Sequence, residues 1–146
     1  MAIQDAEHPT RTRRSSYRYT FTARHHGGDK SAAMWAMEIT RDAEFSIFDG
    51  ADFWEIADGR GWLYGVLLNG DELSSIGTRD EQVAEFQPGA EGEPWHGYPK
   101  WVVNKLGPAN RRKPHCCPEK QVFDRMVDVS LITAIQRKRL LTGRHA

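Results

Sequence analysis

Apolar and polar positions alternate most cleanly at residues 17–24, YRYTFTAR. Tyr17, Tyr19, Phe21 and Ala23 fall on one side and Arg18, Thr20, Thr22 and Arg24 on the other. A period of two is that of a half-buried strand. The run His25–Lys30, with Gly27 and Gly28 at its centre, reads as a turn. In 32–41, Trp35, Met37 and Ile39 alternate again, which predicts a strand paired with the first. Residues 43–48, AEFSIF, predict a further short strand, ended by Asp49-Gly50. Residues 53–57 and 61–68 flank Asp58-Gly59-Arg60-Gly61, a hairpin signal. Asn69-Gly70-Asp71 marks the next turn, and 82–87 the next strand, carried by Val83 and Phe86.

The pattern then changes. Residues 88–99, PGAEGEPWHGYP, are dense in Pro and Gly and predict a long loop. Trp101, Val102 and Val103 return the chain to the core, and 107–118 form a second irregular stretch. Beyond Pro118 the period becomes helical. Val122, Phe123, Met126 and Val127 make one apolar stripe. Thr133 with Gln136 has the form of a capping box, and Gly143 that of a helix stop. Two short helices, 119–129 and 134–142, follow. The predicted fold is α+β: a bent antiparallel sheet of about five or six strands and two C-terminal helices. Val122, Phe123, Met126, Val127, Leu131 and Leu140 would pack the helices on the sheet.

The domain reading is a flexible basic arm, 1–16, ahead of one domain, 17–146. That domain divides into a β-rich acidic part (17–103), an irregular basic linker (104–118) and a helical hairpin (119–142). A chain of 146 residues is the size of one domain with a real core. The first fourteen residues hold no apolar run of signal-peptide length. No segment approaches the ~20 apolar residues of a membrane helix. A cytoplasmic, soluble regulatory or accessory protein, with no membrane partner, is therefore expected. The two cysteines, Cys116 and Cys117, are adjacent, which argues against a secreted disulfide framework.

Charge changes the picture more than composition does. The chain is neutral overall, yet 1–37 carry +3, 38–93 carry −11 and 94–146 carry +8. The ordinary reading is that the acidic and basic parts attract each other within one fold. The sharper one is two surfaces of opposite sign for two partners.

Four groups of residues could carry chemistry. Trp95, His96, Tyr98, Lys100 and Trp101 crowd three aromatics, a titratable imidazole and a cation into seven positions. Such a segment suits a binding hot spot, and His96 suits a general base; the plainer role is to plug one end of the sheet. His115, Cys116 and Cys117 are weak zinc-ligand candidates, because the spacing of paired cysteines is missing. Cys117, just ahead of a helix, is also a weak candidate for a reactive thiol, as is Cys116. Arg111, Arg112, Arg137, Lys138 and Arg139 are basic clusters of the kind that contact phosphate, and Arg11, Arg13 and Arg14 could join them. The acids Asp49, Asp52, Glu55, Asp58, Asp71, Glu72, Asp80, Glu81 and Glu85 could hide a catalytic pair, although turn acids more often bond their own backbone.

No P-loop, dinucleotide fingerprint, nucleophile elbow or metalloprotease helix is present, and no cofactor is implied. The function these observations favour is non-enzymatic binding of a protein partner. The contact would be made by the aromatic segment 95–101 and the basic C-terminal surface. Nucleic-acid binding through the C-terminal helices and the arginine arm is one alternative. A small enzyme with His96 as base is the other.

Overall fold

The computed structural model describes residues 7–9, 18–21, 34–90, 94–102 and 117–146. The elements are β1 (Glu7–Pro9), β2 (Arg18–Thr20), α1 (Arg41–Phe53), β3 (Leu63–Gly65), β4 (Leu68–Asn69), β5 (Glu72–Leu73), β6 (Val83–Gln87), β7 (His96–Lys100), α2 (Lys120–Asp128) and α3 (Ala134–Leu141). The class is α+β. The single bent sheet expected from the sequence is replaced, among the described residues, by smaller antiparallel pieces. β3, β6 and β7 form a three-stranded sheet with β6 central, and β1–β2 and β4–β5 form separate pairs.

Residues 43–48 are not a strand but the middle of α1. Thr40 accepts a hydrogen bond from the Ala43 amide (3.1 Å), and Asp42 and Glu44 sit in the positive first turn. Phe45, Phe48 and Ala51 then fall on one buried face. Residues 53–57 are likewise not a strand. Residues 53–55 are the helix end and a turn in which Glu55 takes a positive φ of 53°, while the predicted hairpin survives at its inner end, where Ala57 bridges Leu63 antiparallel and the Tyr64 amide donates to the Ile56 carbonyl at 2.8 Å. Among the described residues, 34–36 do not pair with the first strand. Trp35 instead bridges Gly77, and the Ala36 amide donates to the Ile76 carbonyl at 2.8 Å. β2 pairs with β1, inside the stretch expected to be a flexible arm. Arg11, Arg13, Arg14 and the turn 25–30 lie outside the described residues.

The largest departure is β7. The segment expected to be loop is an edge strand among the described residues, paired with β6 from Val83↔Lys100 to Gln87↔His96. Pro99 is tolerated because an edge strand does not need every amide. Gly97 is required for space: a Cβ there would lie 2.1 Å from Phe86 Cδ1.

Alternation divides the three-stranded sheet into two faces. Leu63, Ala84 and Phe86 belong to one, packed in a core with Tyr19, Phe21, Trp35, Phe45, Phe48 and Trp95. Tyr64, Val83, Glu85, Gln87, His96, Tyr98 and Lys100 belong to the other. At Val83 and Tyr64 this second face meets Val122, Phe123 and Met126 of α2 and Leu140 of α3, as the apolar stripe predicted. The helices match their expected spans closely, with the Thr133–Gln136 capping box formed. Ser130, at φ 62°, breaks the helix between them. No helix of the described residues is long and apolar enough to cross a membrane.

Candidate polar contact face

One row of side chains crosses the second face in register: Tyr64 on β3, Glu85 on β6 and Tyr98 on β7. Directly opposed residues in an antiparallel sheet place their Cβ atoms roughly 5 Å apart. The two tyrosines can therefore reach the carboxylate between them. Tyr64 Oη donates to Glu85 Oε2 at 2.8 Å, and Tyr98 Oη donates to Glu85 Oε1. Gln87, two residues along β6, adds hydrogen bonds to Glu85 and to Tyr98 Oη. Glu85 is 2% exposed. A buried carboxylate needs such partners, because leaving it unpaired costs several kcal/mol.

The 58–61 turn feeds a second carboxylate into the row. Asp58 Oδ2 lies 2.8 Å from Tyr64 Oη, so this hydroxyl has one proton and two acceptors. Asp58 Oδ1 caps the turn, accepting the amides of Arg60 (2.8 Å) and Trp62 (3.1 Å). Burial alone would push the Asp58 carboxyl up. Hydrogen bonds from Arg60, Tyr64 and the turn amide overcome this and hold it below the ordinary carboxylate range. Burial, and then the Glu85 charge, push both tyrosine hydroxyls well up, so both remain protonated donors.

Arg60 is fixed on three sides. Its Nε and Nη2 reach Asp58 Oδ2 at 3.1 and 2.8 Å, and Nη2 also reaches Tyr64 Oη at 3.3 Å. Its guanidinium carbon sits 3.5 Å from the centre of the Trp62 ring, the distance of a flat cation–π stack. Its side chain is nevertheless 49% exposed. Across the sheet, Lys100 Nζ lies 4.0 Å from Glu85 Oε1 and keeps 26% exposure. Two cations thus face two carboxylates, with the carboxylates inside and the cations at the rim. His96 flanks this rim, half-buried, and burial holds its imidazole below the usual range and thus neutral near pH 7.

The structure separates the aromatic segment predicted from sequence. His96, Tyr98 and Lys100 share the polar face, as residues two apart on a strand must. Trp95 is 8% exposed and packs on Phe48, so it is core. Trp101 is half-buried beyond the strand. The His96 imidazole makes no hydrogen bond among the described residues. On α3, Arg137 is paired with Asp124 at 2.7 Å, and Lys138 and Arg139 are exposed. Cys117 is a buried free thiol. Arg111, Arg112, Lys113, His115 and Cys116 lie outside the described residues, and no group of three or more metal-ligating side chains occurs within them.

Sequence reasoning singled out neither Arg60 nor Trp62 nor Tyr64. The available signal was Asp58-x-Arg60-x-Trp62-x-Tyr64 running out of a turn into a strand, which places four chemically active side chains on alternate positions. Compared with protein-family models, curated proteins and solved structures, the chain matches none of them.

Proposed function

We propose that this protein is a non-enzymatic binding module that docks a protein partner bearing exposed carboxylates. Contact is made by Arg60, Trp62, Tyr98, Lys100 and His96. The observation that carries this reading is the fixed state of Arg60. A surface arginine usually surrenders roughly 2 kcal/mol of rotamer freedom when it is immobilised. Here Asp58, Tyr64 and the Trp62 ring already hold it. That entropy is lost on folding and not at association, which favours tight contact. Nη1 has no partner among the described residues and offers charge-assisted donors to a carboxylate oxygen. Tryptophan, tyrosine and arginine are also the side chains that dominate binding hot spots.

The test is affinity capture by the full chain, with Arg60→Ala set beside the double variant Lys138→Ala/Arg139→Ala. Asp58 keeps the amides of residues 60 and 62 and the Tyr64 hydroxyl when Arg60 is removed, so the fold is expected to survive. Arg60→Ala is expected to weaken a captured partner's affinity by about 30-fold or more, the scale of a hot-spot loss of 2 kcal/mol. The α3 variant is expected to leave it unchanged. The reverse pattern, with a nuclease-sensitive and steeply salt-dependent interaction, would move the function to nucleic acid on α3.

A further inference from the structure

A second site lies at the other end of the β6–β7 ladder. Three segments converge there: the turn carrying Arg79, the end of β7 with Lys100 and Trp101, and the tail carrying Arg144 and His145. They line a half-open pocket of about 160 Å³, several times the ~30 Å³ share of one water.

The walls are fixed by hydrogen bonds. The Arg79 amide donates to Glu81 Oε1 at 2.8 Å. Gly143 turns the chain out of α3 with φ 77°, and the Arg144 amide returns to the Arg139 carbonyl at 2.8 Å. Ser75 Oγ meets His145 Nε2 at 3.0 Å. The Gln82 amide side chain grips Ala146 from both sides, accepting its N–H at 2.8 Å and donating to its carbonyl at 2.9 Å.

We propose that this pocket is an anion site for the phosphate group of a small phosphomonoester. Arg79, Lys100 and Arg144 bring three basic side chains to one small volume beside His145, whose Nε2 is held by Ser75, and Trp101 and Leu140 line it on the apolar side. Arg79 and Arg144 make no ion pair among the described residues, so their guanidinium groups remain available. Two carboxylates also line the pocket. Glu81 is 3% exposed and engaged by the turn amide, whereas Asp80 is exposed at the rim. Lys100 also lies 4.0 Å from Glu85 Oε1, so the positive charge offered to a ligand comes chiefly from Arg79 and Arg144. Two forked guanidinium groups offer more donors than the two oxygens of a carboxylate can use. A phosphate, with three oxygens and close to two charges, matches them better. This site shares Lys100 with the Arg60 contact face but rests on Arg79 and Arg144, which that face does not use.

The test is a titration of the full-length chain with phenyl phosphate, inorganic phosphate and benzoate, followed by the NMR amide signals of Arg79, Gly143 and His145 and the Trp101 indole signal. Phenyl phosphate is expected to move all four, with at least about tenfold tighter binding than benzoate. The variant Arg79→Gln/Arg144→Gln, both surface changes, is expected to lose about tenfold or more of that affinity. Unmoved signals, equal response to benzoate, or undiminished binding by the double variant would each overturn the site. Equal affinity for inorganic and phenyl phosphate would overturn the role given to Trp101.

Discussion

Asp58 shows how a turn residue becomes part of a site. As a turn aspartate it does what such residues ordinarily do, capping the amides of Arg60 and Trp62. Its other oxygen faces inward and takes Arg60 and Tyr64. The folded carboxyl is thereby held below its ordinary value, despite the burial that pushes the other way. A carboxyl depressed on folding adds stability that is fully present above its unfolded value of about 3.9 and is lost as pH falls through the folded value. Asp58→Asn should therefore flatten the acid limb of the stability curve below about pH 4, measured as urea midpoints, while the neutral plateau keeps its shape. An altered slope near pH 7 and an unchanged acid limb would contradict this role. Asp58 and Glu85 were both legible as acids in the sequence. What could not be read was that one tyrosine hydroxyl lies between them, because that depends on the register of β3 against β6.

At the scale of elements, the C-terminal helices were legible and α1 was not. Val122, Phe123 and Met126 are all apolar, so their period shows. The buried face of α1 also contains Glu44 and Asp52, and these polar residues mask the same period. Glu44 is satisfied by the Tyr19 hydroxyl, which comes from a strand distant in sequence. The composition of AEFSIF therefore reads as strand until Thr40 is recognised as a cap. β7 was hidden for a different reason. Gly97 and Pro99, which signal a loop, both turn toward the aromatic core, where the strand must lie close to Phe86 and Gly77. Gly97→Ala would place its new carbon against the Phe86 ring, which is 0% exposed and has no room to yield. Overpacking of this kind costs about 1–3 kcal/mol or more. The variant should lower the urea midpoint without changing the slope. An unchanged midpoint would mean that β7 does not lie against Phe86 as described.

Across the whole molecule, the three-stranded sheet carries an aromatic core on one face and the helical hairpin on part of the other. The polar row lies on the rest of that second face, with Tyr64 and Glu85 buried and Arg60 and Lys100 reaching solvent. The separation of charge along the sequence is partly closed by direct contacts. Lys100 approaches Glu85, Glu119 accepts the Gly59 amide at 2.8 Å, and Arg125 donates to the Trp54 carbonyl at 3.0 Å. Of these three, the Lys100–Glu85 contact joins opposite charges, and the other two are hydrogen bonds to neutral backbone groups. Arg60, a cation of the acidic region, lies on the rim of the same face as Lys100 from the basic region. Such a pairing was not legible from charge blocks, which assign the two residues to opposite surfaces. The proposed function rests on Arg60 being held in place before a partner arrives. The most direct test is ¹⁵N relaxation of the arginine Nε–H groups in the free protein. The account predicts an Arg60 order parameter close to that of rigid backbone, about 0.85, and well above those of exposed Arg139 and Arg144. An Arg60 value below about 0.6, averaged with the other surface arginines, would contradict it.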